Sequence, residues 1–303
     1  MRRRLLLVPA TLLGALALVF AFLHLVPGDP VEVMLGEFAM PADVASMRRG
    51  LGLDRPLPVQ FVRFLAGLVT GDLGDSIAFR APVTRVIAER YLATLELAAA
   101  ALLLALLAGI PLGVLAALRH GSAADALIRG LSLLGVCVPS VWLGPLLILV
   151  FSIQLAWLPV SGRGSLAHLV LPATTLALGM AAILIRLTRA SMLAVLRDAH
   201  LRTAVAKGAS ACRTVTHHAL PSALPPVVTV VGLQAGALLA GAIVTETVFS
   251  WPGIGRLLVQ AIAARDYPLV QGCVLVVAVT YILMNVTADL LVAWLDPRTR
   301  EDA

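Results

Sequence analysis

The sequence predicts an all-α polytopic membrane protein with six transmembrane helices, and three observations lead there. Of its 303 residues 60% are hydrophobic and only 13% charged, with a mean hydropathy of +0.96; soluble domains carry about 45–50% apolar and about 25% charged residues. The apolar residues fall in six continuous runs, most near the roughly 20 residues that a bilayer-spanning helix needs. Aromatic residues make up only 5%, and the runs show none of the alternation in ~10-residue segments expected of an outer-membrane barrel. Disorder is excluded by the same hydrophobicity.

The six predicted spans are residues 5–26, 92–118, 131–156, 169–185, 223–245 and 271–295. The first follows Arg2, Arg3 and Arg4. Its apolar stretch of 22 residues exceeds the 7–15 of a signal-peptide core, and no small-residue cleavage site follows. Residues 1–26 therefore read as a short cytoplasmic N-terminus and a first membrane helix, 27–91 as an extracytoplasmic segment, and 92–303 as a five-helix core.

Charge sets the expected orientation. With both termini in the cytoplasm, the inner side holds thirteen basic and five acidic residues, a balance of +8, whereas the outer side holds ten of each. The two short outer loops carry one and two basic residues; the two inner loops carry two and six. This is the asymmetry of the positive-inside rule. Glu96 and Asp289 remain within spans, each near an end, where snorkelling or a local hydrogen bond accommodates a charge. Pro111, Pro139, Pro145, Pro172, Pro225 and Pro226 also fall in or beside spans, where packed neighbours or a cavity must re-satisfy the backbone.

The segment 27–91 is predicted to form short amphipathic helices near 41–50 and 56–69, the second with Phe61, Phe64, Leu65 and Leu68 on one face, followed by a turn at Gly71–Asp75. Between spans five and six, Pro252 is well placed near a helix start, and Ile254, Leu257, Leu258, Ala261 and Ile262 follow at helical spacing up to Asp266-Tyr267-Pro268.

The inner loop 186–222 carries most information. Asp198 is suited to cap a helix over 199–207, and Gly208 sits where a left-handed residue ends it. Ser210 is suited to cap a second helix running to about Ala219, with Leu220-Pro221 ending it. Small residues on the first helix would let another surface approach closely. The loop reads equally as a docking knob or as a solvated basic loop.

Several chemistries lack their residues. Of 23 basic residues 22 are Arg; the single lysine, Lys207, precedes Gly208 rather than Ser or Thr, so no phosphate-binding P-loop is present. Gly253-x-Gly255 lacks the third glycine and the preceding strand of a dinucleotide loop. Cys137, Cys212 and Cys273 form no metal or disulfide pattern, and no H-E-x-x-H occurs. The dispersed arginines argue against nucleic-acid binding. No catalytic, metal or cofactor site of the chain's own is expected. An ion-coupled secondary transporter is the alternative of a different class, but no internal repeat is evident and neither membrane acid is central.

Residues 202–208, Arg202-Thr203-Ala204-Val205-Ala206-Lys207-Gly208, continuing through His218-Ala219-Leu220-Pro221, resemble the EAA loop of ABC-importer permeases. Ala204, Gly208, Leu220 and Pro221 match at the right spacing; Arg202, Thr203 and His218 stand where the pattern has Glu, Ala and Ile. His24–Pro30, Leu51–Leu57, Gly71–Gly74, Thr94–Ala98, Glu246–Gly255 (with Glu246, Trp251, Pro252, Gly253 and Gly255) and Arg265–Pro268 (with Asp266) agree with the first permease subunit of the dipeptide/oligopeptide/nickel family. This resemblance implies a type I ABC-importer permease (MetI-like) fold in a prokaryotic inner membrane. It implies a second, homologous permease, two cytoplasmic ATPases that hold ATP and Mg and receive the 186–222 loop, and an extracytoplasmic substrate-binding protein. Peptides are the favoured cargo, with nickel, a nickel chelate or glutathione as alternatives.

Overall fold

The computed structural model describes residues 13–14, 16–22, 31, 40–50 and 52–295. In chain order its elements are α1 (Pro41–Gly50), α2 (Leu57–Thr70), the two-residue strands β1 (Asp75–Ser76) and β2 (Ala81–Pro82), α3 (Val83–Leu118), α4 (Ala123–Cys137), α5 (Ser140–Leu147), α6 (Leu166–Val195), α7 (Ala199–Ala206), α8 (Ala211–Arg213), α9 (Leu220–Val248), α10 (Ile254–Ala263) and α11 (Tyr267–Leu295). The strands pair antiparallel, Asp75 opposite Pro82 and Ser76 opposite Ala81; among the described residues everything else of regular form is helical.

Among the described residues, four helical stretches are long and apolar enough to cross a membrane: Val83–Leu118, Leu166–Val195, Ala211–Leu238 and Tyr267–Ala288. A fifth comes in two pieces, Ala123–Cys137 and Ser140–Gln154, bent by 104° at their junction. The expected span at 5–26 lies mostly outside the described residues, although 16–22 are helical. The third span thus differs from the continuous helix expected at 131–156. Pro139 has no N–H to donate, and its ring pushes Val138 out of the helical region; both residues are extended, with ψ of 115° and 136°. After α5 the chain continues as a π-helix, Ile148–Gln154.

The chain divides into two compact units. The first comprises residues 1–94 and 252–280. Its core gathers Val83, Val86 and Ile87 of α3, Ile254, Leu257 and Ala261 of α10, and Leu269, Val270 and Cys273 of α11. The predicted apolar face of α2 is the half-buried one, while Val62 and Arg63 are exposed; Phe61 packs on Phe20 with ring centroids 5.2 Å apart. The turn after α2 forms as expected, with Gly71 and Gly74 left-handed and Asp72 accepting a hydrogen bond from Gly74 N. Tyr91 Oη and Thr280 Oγ1 lie 3.0 Å apart.

The second unit comprises residues 95–251 and 281–303. Here α6 packs against α4, α5 and α9. The contact between α3 and α6 is set by Gly109 and Gly113, four residues apart on α3. A Cβ at Gly113 would lie 2.6 Å from Thr188 Cβ and 2.8 Å from the Ile185 carbonyl; one at Gly109 would lie 2.7 Å from Leu184 Cβ. Small residues at this spacing let two helix backbones touch where lipid supplies no hydrophobic drive for association. Many large apolar side chains face outward, among them Leu103, Leu107, Leu131 and Leu134. A soluble protein does not carry so extensive an apolar exterior.

Candidate functional site: a projecting two-helix loop and its supports

The loop from 186 to 222 grows out of the end of α6. The chain leaves α6 at Leu196 and turns into α7, which starts after Asp198 as expected, but the Asp198 side chain makes no capping hydrogen bond. It lies 3.8 Å from His200 Nδ1 instead. One residue anchors α7: Leu201, 4% exposed, inserts into a cluster with Ala117, Met192, Ala219 and Ala223. The opposite side of the loop is open. Arg202, Thr203, Val205, Ala206, Lys207 and Gly208 are exposed and Ala204 is half-buried. Among the described residues, Arg202, Lys207 and Arg213 form no ion pair, so three positive charges stand free on this knob.

Gly208 has φ of +85° and ends α7 as its position suggested. The hydrogen bonds from Gly208 N to Val205 O and from Ala209 N to Ala204 O close the turn. Nothing lies within 4 Å of where a Cβ would sit, so the glycine is required by backbone conformation and not by crowding. Ser210 Oγ then accepts from Arg213 N, as a cap should.

The second short helix departs from expectation. It does not stop at Leu220-Pro221: α8 passes into a π-helical stretch, Thr214–Ala219, and this runs directly into α9. Pro221 occupies the first turn of α9, where a missing N–H disturbs least. Leu220 packs against the Leu201 cluster and Pro221 is exposed. The second arm of the knob is thus a continuous extension of a membrane helix.

Beside this loop lies an ionic cluster that the sequence reading counted only as charges. Asp125 of α4 is fully buried. Arg189 of α6 grips it with two parallel hydrogen bonds, Nε to Oδ1 at 2.7 Å and Nη2 to Oδ2 at 2.8 Å. Gly121 N donates to Oδ2 at 3.0 Å, and Arg129 Nε lies 3.3 Å from Oδ1. Ser122 caps α4 by accepting from Asp125 N. Ser122-x-x-Asp125 is a capping-box pattern, and that pattern was the available signal.

The residues of the Glu246–Gly255 and Arg265–Pro268 segments are supports within their own units. In the second unit Glu246, Phe249 and Trp251 are buried. Trp251 N bonds to Glu246 O at 2.8 Å, and Gly162 N to Phe249 O at 2.9 Å. Arg163 stacks 5.9 Å from the Trp251 ring and pairs with Glu96, Nη2 to Oε2 at 2.6 Å. Glu96 thus pairs with an arginine 67 residues away in the chain instead of making a hydrogen bond to a local group; the side chain of Asp289 lies outside the described residues. In the first unit Gly253 and Gly255 are buried and Pro252 half-buried, and Ile254 N donates to Thr94 Oγ1 at 2.8 Å. Asp266 is fully buried and accepts from Ser76 Oγ, from Ala78 N at 3.0 Å and from Leu269 N at 3.2 Å. It ties the small hairpin to the start of α11. Ser76 was not singled out in the sequence, because a lone serine in a turn carries no spacing signal. Among the described residues no three His, Cys, Asp or Glu side chains come together as a metal site.

A helical membrane protein with a broken span and a basic two-helix knob turned at a left-handed glycine is built as the membrane component of a transport system. The chain belongs to the family of binding-protein-dependent transport system inner membrane components, the permeases of ABC importers, whose model matches residues 109–301; the companion N-terminal model of that family matches residues 1–98. The chain is 44% identical to the dipeptide transport system permease protein DppB of Escherichia coli (strain K12), over 98% of this chain and 97% of that protein. It is 43% identical to the glutathione transport system permease protein GsiC of Pectobacterium atrosepticum, over the same shares. Its fold is similar to a chain of the inward-facing MetNI methionine ABC transporter, with a TM-score of 0.59 at 18% identity, covering 70% of this chain and 96% of that one. The expected type I importer permease fold is therefore the fold of this chain.

Proposed function

We propose that this chain pairs with a second, homologous permease to form the path by which peptides enter a prokaryotic cell across the inner membrane, both of its termini lying in the cytoplasm. Two separate ATPases, which hold ATP and Mg, receive the knob of Arg202, Thr203, Ala204, Lys207 and Gly208, supported by Leu220 and Pro221. A substrate-binding protein delivers cargo from outside. The observation that carries this reading is the knob itself. Its exposed face bears unpaired positive charge, its inner face is anchored by Leu201, its first arm joins α6 through the turn 196–198, and its second arm continues into α9. A push on such a loop is transmitted to two membrane helices. Similarity to dipeptide and di/tripeptide permeases supports peptides as cargo. Similarity to GsiC favours glutathione, itself a peptide, as the second candidate.

The chain acts as a two-state pathway and ATP bound between its partners biases the states; no chemistry occurs on this chain. The test is uptake of labelled dialanine and of labelled glutathione into vesicles containing the whole assembly. Uptake is expected to persist when ion gradients are collapsed with ATP maintained, and to stop when the P-loop lysine of the ATPases is replaced. Uptake by this chain alone that vanishes with the gradients would establish a secondary transporter instead.

A further inference from the structure

The break between α4 and α5 opens a cavity of about 320 Å³ within the second unit, lined among others by Pro139, Ser140, Thr175, Gln234 and Leu238. Small-molecule sites begin near this size, about 300 Å³. Its surroundings are mostly apolar, and three side chains bring polar atoms. Thr175 Oγ1 is already committed, donating to Leu171 O at 2.8 Å. The other two are not: among the described residues, neither the Ser140 hydroxyl nor the Gln234 amide makes a hydrogen bond, and both residues are half-buried.

Gln234 is the central residue of the 29-residue helix α9. An amide at the middle of a membrane span is costly unless something pairs with it. Polar groups held at such depth face a partner or a path. The break adds a second feature. A two-residue interruption at Val138-Pro139 turns the chain through 104° and sets Ser140 across the same cavity from α9. Irregular backbone at membrane depth is tolerated where it is buried in protein or lines a cavity.

We propose that this cavity is a contact point for the main chain of a peptide in transit, with Gln234 and Ser140 as its polar groups. This deepens the peptide-permease reading and rests on it. An amide and a hydroxyl each donate and accept, which matches the N–H and C=O that every peptide repeats. Neither is charged, so cargo with acidic or basic side chains passes the same point. The glycines at 135 and 179, which also line the cavity, let α4 and α6 approach closely beside it: a Cβ at Gly135 would lie 3.0 Å from Ala182 Cβ. The residues therefore suit recognition of what peptides share and not of what distinguishes them.

The experiment uses the complete transporter, with both permeases, ATPases and binding protein, in proteoliposomes fed labelled Ala-Ala, Ala-Lys and Ala-Asp. Gln234→Leu keeps most of the volume and removes both hydrogen-bonding atoms; Ala-Ala uptake should fall about tenfold while the assembly co-purifies intact. Gln234→Glu adds a charge at the contact point. The ratio of Ala-Lys to Ala-Asp uptake should then rise about tenfold, since like charges repel at close quarters. A purely structural role for Gln234 would not move that ratio. Wild-type uptake in the Leu variant, or an unshifted ratio in the Glu variant, would overturn the assignment. Failure of both variants to co-purify with the second permease would overturn it too and place Gln234 at the contact between permeases. If the wild-type assembly carries none of the three peptides, the peptide reading fails first and takes this contact with it.

Discussion

Arg189 closes on Asp125 across 64 residues of chain, with both carboxylate oxygens engaged at 2.7 and 2.8 Å. The pair fastens the start of α4 to α6 nearly two turns before α6 ends, and α6 leads through a short turn into the knob formed by α7 and Gly208. Planar, bidentate arginine–carboxylate pairs fix geometry as well as contributing energy. Asp125 also receives Gly121 N, so the α3–α4 connection and the base of the knob form one unit.

Breaking this pair from one side should be worse than removing it whole. Asp125→Asn leaves the Arg189 guanidinium without its carboxylate, and Arg189→Leu leaves a buried carboxylate; each is expected to lower membrane-inserted yield and thermal stability. The double variant Asp125→Asn/Arg189→Leu should recover part of the loss, because the buried carboxylate and the guanidinium that grips it are then both gone, while the exposed Arg129 keeps its charge in water. Midpoint temperatures of the detergent-solubilised assembly, read for all four proteins, give the comparison. Equal losses in single and double variants would mean that the pair is not coupled.

Gly208→Val should uncouple transport while leaving the chain inserted. At φ of +85° a β-branched residue faces a strain of about 1–3 kcal/mol, although no neighbouring atom would be struck. The turn is expected to relax by changing the angle between the arms of the knob. Co-purification with the ATPases and peptide uptake should both fall, and Gly208→Ala should be milder. Wild-type levels of both in the Val variant would reduce the knob to a solvated loop.

Gly113→Leu acts by crowding. Its Cβ would meet Thr188 Cβ and the Ile185 carbonyl, backbone and β-carbon atoms that cannot swing aside. Overpacking of this kind costs about 1–3 kcal/mol, so protease resistance of the inserted chain should drop and α3–α6 disulfide cross-linking at neighbouring positions should weaken. The same substitution at Gly121, where a Cβ meets no neighbour within 4 Å but φ is +79°, should leave that cross-linking unchanged.

The orientation proposed from charge is checked by single cysteines. Ser46→Cys and Gly164→Cys should react with a membrane-impermeant thiol reagent added from outside, and Ser210→Cys only once the inner face is opened. Ser46, Gly164 and Ser210 are all exposed. The native cysteines must first be replaced, since Cys137 and Cys212 are exposed as well. Labelling of Ser210→Cys from outside would reverse the arrangement.

Much of this protein was legible one residue at a time. Apolar runs mark membrane helices because a lipid-exposed backbone must satisfy its own hydrogen bonds. Gly208, Ser210 and Pro252 mark local ends and starts because their conformational preferences act within a few residues. The helices reach further than the runs, as α3 from residue 83 and α6 to residue 195 show, because a helix continues past its apolar part while its backbone bonds persist.

What the sequence by itself determined is the class: an all-α membrane protein whose basic loop carries the spacing of an importer permease. Only the tertiary structure decided that Pro139 bends a span by 104°, that Leu220-Pro221 begins a helix instead of ending one, and that Asp125 and Arg189 are partners. It also decided that Asp266 holds Ser76 and that Ser140 and Gln234 share one cavity. The reason is range. Propensity, hydropathy and turn chemistry act over a few neighbouring residues and can be read along the chain. An ion pair 64 residues apart, or a hydrogen bond 190 residues apart, depends on how helices pack, and no local signal encodes which distant side chain will meet which.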